Sequence, residues 1–237
     1  MAGPAAAGCV AADFVVALDV GHDRARPGAI SARGVPEFDF NLALARAVLA
    51  TLQAAGFGRS FLIAASGVPR VLRERSAAAA RGGAQVLISL HHDSVQERYL
   101  EPWRFAGRAR DHTTHARGFS LFVSARNRYF GASRALALAI GAALRAAGRR
   151  PSSHHAEPIA GENRPVIDAA RGVYRFDGLA VLRTAAMPAV LLEAGVIKHR
   201  EEELVVAGAA FKADVAGAIL GAVEQACAAG LPGAPAE

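Results

Sequence analysis

The segment FVVALDVGH, Phe14 to His22, decides how the chain is to be read. Its first seven residues are apolar except for Asp19, three of them, Val15, Val16 and Val20, are β-branched, and the run is too short for a buried helix. It reads as a buried strand, and it delivers Gly21 and His22 to its carboxyl end. Two later runs have the same form. AQVLISL, Ala84 to Leu90, runs into His91-His92-Asp93, and AVLLE, Ala189 to Glu193, carries a carboxylate at its end.

Helical patterns separate these strands. Glu37 opens one that continues to about Ala55 and closes at Gly56. Ser60 to Ala65 is a further strand, Val68 to Arg81 is helical, Gly118 to Ser124 is a strand and Ala132 to Ala147 is helical. Leu179 to Leu182 reads as a short strand, and Glu201 to Val206 and Phe211 to Ala228 as the closing helices. Strands alternating with helices predict an α/β fold with a largely parallel sheet. The expected limits are a flexible segment over 1–12, one catalytic domain over 13–229 and a loose tail over 230–237.

In such sheets ligands sit beyond the carboxyl ends of the strands. His22, one of His91 and His92, and Glu193 all fall there. Only one of the two adjacent histidines can share a face with His22, because neighbouring residues on a strand point to opposite faces. Two histidines with Glu37, at the start of its helix, make a two-His, one-carboxylate set of the kind that holds catalytic zinc and leaves a position for water. Asp19 is placed either to orient His22 or to make a plain strand-end turn. Glu193 stands in an apolar run, where a carboxylate is costly unless an arginine pairs with it or it has a function. Burial raises its pKa toward that of a general base.

Composition narrows the function classes. The chain has 237 residues, is 52% hydrophobic and 20% charged, and carries a net charge of +6. That suits one core rather than disorder. All but two of the 27 basic residues are arginine, the exceptions being Lys198 and Lys212. No tight basic run with interleaved aromatics is present, so nucleic acid is not an expected partner. No apolar run reaches the roughly 18 residues of a membrane span. Cys9 and Cys227 fit one bridge or two free thiols. No export signal is visible.

The motifs taken together resemble those of the zinc-dependent N-acetylmuramoyl-L-alanine amidases of the amidase type 3 family. Leu18-Asp19-Val20-Gly21-His22 is similar to its strand-to-GH motif. Pro27-Gly28-Ala29 and Gly34, with Glu37 and Asn41-Leu42-Ala43, are similar to its second motif. Ser89-Leu90-His91 resembles its Ser-Ile-His motif, which selects His91 over His92. Leu182-Arg183 and Met187-Pro188-Ala189-Val190-Leu191-Leu192-Glu193-Ala194-Gly195 resemble its closing strand. The order and spacing agree from residue 14 to about residue 225.

The resemblance implies a mixed sheet of about six strands flanked by helices. It implies one zinc per chain on His22, Glu37 and His91, with Glu193 as catalytic base. The implied substrate is peptidoglycan, cut between N-acetylmuramic acid and L-alanine in the periplasm or cell wall, by a monomer whose activator, if any, is left open. Asp23-Arg24 depart from the glycines usual after the histidine. Two rival readings share the metal set or the fold: a zinc peptidase or carboxypeptidase of the stem peptide, and an inactive wall-binding module.

One stretch fits no motif. Val95 to Arg117 is polar, with Trp103 and Arg98, Arg104, Arg108, Arg110 and Arg117. It leaves the sheet just after His91 and reads as a substrate-binding segment, as a self-blocking one through Glu97, Glu101, His112 or His115, or as a variable surface loop.

Overall fold

A computed structural model of the chain describes residues 9–68 and 71–230. The expected N-terminal segment and C-terminal tail therefore lie mostly outside the described residues. The strands are β1 (Val16–Val20), β2 (Phe61–Ile63), β3 (Val86–Asp93), β4 (Glu101–Phe105), β5 (Arg108–His112), β6 (Ser120–Val123), β7 (Val166–Asp168), β8 (Val173–Arg175) and β9 (Ala189–Val196). Seven of them form one mixed sheet in the order β2-β1-β3-β9-β6-β8-β7, and β4 and β5 form a separate hairpin. The four neighbours β2, β1, β3 and β9 are mutually parallel, and β6 joins β9 antiparallel.

Alternation along the strands sorts the core into two layers. Val16, Leu18 and Val20 of β1, Ile88 and Leu90 of β3, and Val190 and Leu192 of β9 point to one face. That face is covered by α1 (Glu37–Ala54), α3 (Phe130–Ala146) and α6 (Ala209–Ala228). The helices present apolar stripes at spacings of three and four, such as Phe38, Leu42, Ala45, Val48 and Leu52 of α1. Val15, Ala17, Leu87, Leu191 and Phe122 point to the other face, with Ala79 of α2 (Leu72–Arg81) and Val181 and Leu182 of α4 (Ala180–Thr184). A short helix α5 (Glu202–Ala207) precedes α6. No described helix is long and apolar enough to cross a membrane.

The α/β class and the mixed sheet agree with expectation, and four details differ. Leu179 to Leu182 is not a strand, because Val181 and Leu182 belong to α4 and pack beside α2; four apolar residues in a row carry no period that separates helix from strand. The sheet has seven strands because β7 and β8, each three residues long, lie at the edge in and just after a stretch read as loop. β3 continues three residues past Leu90, so His91, His92 and Asp93 are still extended. The helix expected from Val68 begins at Leu72, and residues 69–70 lie outside the described residues. Cys9 and Cys227 are joined in a disulfide that ties the start of the described chain to α6.

Candidate metal centre

The carboxyl ends of β1, β3 and β9 meet at one edge of the sheet. His22 follows β1 directly, His91 lies on β3, and Glu193 on β9 is the register partner of His91. Glu37 arrives from the first turn of α1. Its carboxylate stands between the two rings: Oε2 is 3.1 Å from His22 Nε2, and Oε1 is 3.1 Å from His91 Nδ1. Donor atoms of these three residues lie close enough together to share one metal ion.

The backbone around this point is shaped to let the donors approach. His22 adopts φ 68°, a left-handed conformation uncommon for a residue with a Cβ. A Cβ at Gly21 would stand 2.5 Å from the His91 ring, so only glycine lets that ring pass. Gly28 has φ 77°, and a Cβ there would strike the Glu37 carboxylate and the His22 ring. Both glycines belong to the motifs read from the sequence, and their physical reason is space for the donors.

Glu37 is buried and fully engaged. It accepts the Ala29 N–H at 3.0 Å, the Asn41 side-chain N–H at 3.1 Å and the His92 N–H at 3.2 Å. Burial alone raises a carboxyl pKa, but the hydrogen bonds and charges of His22 and His91 outweigh it and hold Glu37 well below the usual range. His92 points to the α1 face, as strand parity requires. Its Nδ1 lies 2.8 Å from Asn41 Oδ1, and burial pushes its pKa down to about 4. It supports Glu37 through Asn41 and is not part of the donor set.

Asp19 does not orient His22. It accepts hydrogen bonds from Arg75 of α2 and from Ser89, each at 2.8 Å. Asp19 and Ser89 are register partners and share the α2 face, where Arg75 takes the carboxylate. The connection to His22 runs through Arg75, which also donates to the carbonyl oxygens of Val20 and His22. This buried guanidinium clamps the strand end that carries the first donor. Nothing in the α2 sequence separates Arg75 from its exposed neighbours Arg73 and Arg81, so its role was not legible before the fold.

Glu193 behaves differently from Glu37. Among the described residues no arginine pairs with it, and its Oε2 is buried without a hydrogen-bond partner. Burial, then the charges of Asp93 and Glu37, raise its pKa well above the usual carboxylate value. A cavity of about 180 Å³ opens beside His22 and His91, with Arg26, Leu72, Arg75 and Val181 among its lining. The arrangement sets a two-His, one-carboxylate donor group beside a second carboxyl in a different environment, residue types that a hydrolytic metal centre can use.

The excursion after β3 is the β4–β5 hairpin, closed by Ala106-Gly107 with positive φ at both residues. Trp103 donates to the Ala32 carbonyl at 3.0 Å and packs on Phe105 and the Arg33 guanidinium, so it pins the hairpin to the loop that leads into Glu37. Among the proposed blockers, Glu101 accepts from Thr114, His115 pairs with Glu157, and the His112 ring meets Trp103 edge to face. None of them belongs to the donor group around Glu37.

The same fold occurs in solved structures. The chain is similar to the N-acetylmuramyl-L-alanine amidase Ami1 of Mycobacterium smegmatis, with TM-score 0.71 and 20% identity over 91% of this chain and 97% of that one. It is similar to amidase AmiC2 of Nostoc punctiforme, with TM-score 0.64 and 22% identity over 90% and 96% of the two chains. It is also similar to the catalytic domain of CwlV from Bacillus (Paenibacillus) polymyxa var. colistinus, with TM-score 0.65 and 24% identity over 90% and 97%. A comparison with curated proteins gives no match. The pattern of one sequence family, N-acetylmuramoyl-L-alanine amidase, matches residues 16–225, nearly the whole described chain. The fold and this match lead to one conclusion: the chain belongs to the amidase type 3 family of N-acetylmuramoyl-L-alanine amidases.

Proposed function

We infer that the protein is a zinc-dependent hydrolase that cuts peptidoglycan between the lactyl group of N-acetylmuramic acid and L-alanine. The observation that carries this reading is the meeting of His22, Glu37 and His91 beside Glu193, whose Oε2 is buried without a hydrogen-bond partner. The donor set fits one zinc, which when bound makes its water acidic and polarises the scissile carbonyl. Glu193 takes the proton of the attacking water and passes it to the departing alanine nitrogen. Its raised pKa suits both halves of that transfer. Asn41 and the Ala29 and His92 N–H groups hold the Glu37 carboxylate aimed at the two rings. The catalytic unit is residues 13–229. The Cys9–Cys227 bridge supports work in the periplasm or wall, where disulfides persist.

The test has two readouts. His22→Ala and His91→Ala should each lose the zinc held at this centre, and full occupancy there in either variant sinks the donor set. Digestion of purified peptidoglycan should release intact stem peptides with a free L-alanine amino group. Loss of only a terminal residue from the stem peptide identifies a carboxypeptidase instead.

A further inference from the structure

A second group of donors lies nearby, and only the charge of its Asp93 reaches the chemistry above, through Glu193. β3 ends in Asp93, after an irregularity in its pairing with β9 between His91 and Asp93. The loop that follows α3 makes a short 3-10 turn, His154–Ala156, against it. His155 Nε2 lies 2.8 Å from Asp93 Oδ2, and His154 Nε2 lies 3.3 Å from the same oxygen. The donor atoms of all three lie within 4.8 Å of one another. His154 is 5% exposed, and its Nε2 is buried with no hydrogen-bond partner.

The far side of each ring is already engaged. His154 Nδ1 meets Ser152 Oγ at 2.8 Å, and His155 Nδ1 meets Glu162 Oε2 at 2.9 Å. A metal-bound histidine almost always gives its other N–H to a carboxylate, carbonyl or water, which fixes the tautomer and aims the ring. Glu162 gives His155 that arrangement, the Ser152 hydroxyl stands in the same place against His154, and both Nε2 atoms turn to one carboxylate oxygen. Two ligands about 2.0 to 2.1 Å from one tetrahedral ion stand about 3.3 Å apart. The 3.3 Å contact of His154 with Asp93 has that spacing without making a hydrogen bond. The His22–Glu37 contact of the first centre is similar, at 3.1 Å.

We propose that Asp93, His154 and His155 form a second metal site, oriented by Ser152 and Glu162, that takes a divalent ion of borderline softness such as zinc. Imidazole with carboxylate suits zinc among the common divalent metals. The ion ties the loop over 152–164 to the end of β3. That loop already touches the excursion after β3: Gln96 donates to the Ala160 carbonyl at 2.9 Å, and the Tyr99 hydroxyl donates to Glu157 at 2.7 Å. The site therefore couples the end of β3, the loop after α3 and the base of the hairpin in one rigid wall. In the absence of an ion, the same contacts leave His155 as a cation between Asp93 and Glu162, and the experiment separates these two states.

The apo full-length protein is dialysed to equilibrium against zinc at neutral pH, and bound metal is counted per chain. Wild type should hold two zinc ions, His91→Ala one, His154→Ala one, and the double variant none. His154→Gln keeps most of the bulk and is measured beside His154→Ala, with circular dichroism on both, so that unfolding is not taken for loss of the site. One zinc in wild type, kept by both His154 variants and lost in His91→Ala, overturns this proposal and leaves the first centre standing. One zinc in wild type, kept by His91→Ala and lost in both His154 variants, supports this site and removes the first.

Discussion

At the scale of single residues, two glutamates in one site have opposite environments. Glu37 is surrounded by donors and held ionised; Glu193 has no partner for Oε2 and is pushed toward the protonated form. Such a split fits the proposed roles, Glu37 as metal ligand and Glu193 as proton carrier. Glu193→Gln should keep the fold and the bound zinc and reduce peptidoglycan hydrolysis about 10² to 10⁴-fold. Turnover near the wild-type rate would remove Glu193 from the mechanism. Outside the site, buried His199 accepts the Glu202 N–H at Nδ1, 3.3 Å away, and burial holds its pKa below the ordinary value. The depressed pKa means the neutral ring stabilises the fold in full above the unfolded value of about 6.5. That contribution is lost as pH falls below it, since the unfolded chain then binds more protons. Denaturant titrations between about pH 7 and pH 5 should show a steeper loss of stability in wild type than in His199→Gln. Parallel curves would exclude His199 as a source of the slope.

At the scale of elements, α2 and the β4–β5 hairpin each act on the site from outside it. α2 contributes one buried guanidinium, and Arg75 holds the end of β1 through Asp19 and two backbone carbonyls. The hairpin rests through Trp103 on the loop that precedes Glu37, with the exposed Arg104 and Arg108 facing outward. Basic side chains on a hairpin seated on the loop before Glu37 suit the carboxylates of stem peptides or anionic wall polymers. Replacing Leu100 to His112 by a short Gly/Ser linker should weaken sedimentation with purified cell walls and slow their hydrolysis. Faster hydrolysis would mark the hairpin as self-blocking, and unchanged binding and rate would make it a surface loop without a role. The polar composition of this stretch was legible as an excursion. Its hairpin form was not, because Glu101 to Phe105 and Arg108 to His112 lack the apolar alternation of a buried strand and pair only with each other.

At the scale of the whole molecule, the disulfide spans 218 positions of sequence and closes nearly the entire chain into one loop. A cross-link of that span removes much of the freedom of the unfolded chain, and loss of such a bond typically costs about 2 to 5 kcal/mol. The double variant Cys9→Ser, Cys227→Ser should unfold at lower denaturant concentration with the same zinc content, and wild type with reductant should match it. An unchanged midpoint would show that α1, α3 and α6 alone hold the termini. The bond joins a segment ahead of β1 to α6, whose apolar stripe of Phe211, Val215, Ile219 and Val223 already packs in the main core. It therefore constrains the edge of the core and leaves the centre of the sheet free of covalent ties.

The sequence by itself determined the strands and their alternation with helices, and it put His22, the His91-His92 pair and Glu193 at strand ends, because short apolar runs and strand-end chemistry are local properties; Glu37 and the choice of His91 came from the family motifs. It also required that His91 and His92 face opposite ways, since parity on a strand needs no partner to be known. Tertiary structure alone decided the rest. It gave Asp19 to Arg75 instead of His22, joined Cys9 to Cys227, and seated Trp103 on Ala32. It also brought His154 and His155, about 60 positions further along the chain, onto Asp93. Each of these is a contact between segments distant in sequence. Which partner a buried charge or ring finds is set by the register and stacking of β1, β3 and β9 beneath their helices, and no local pattern encodes that choice.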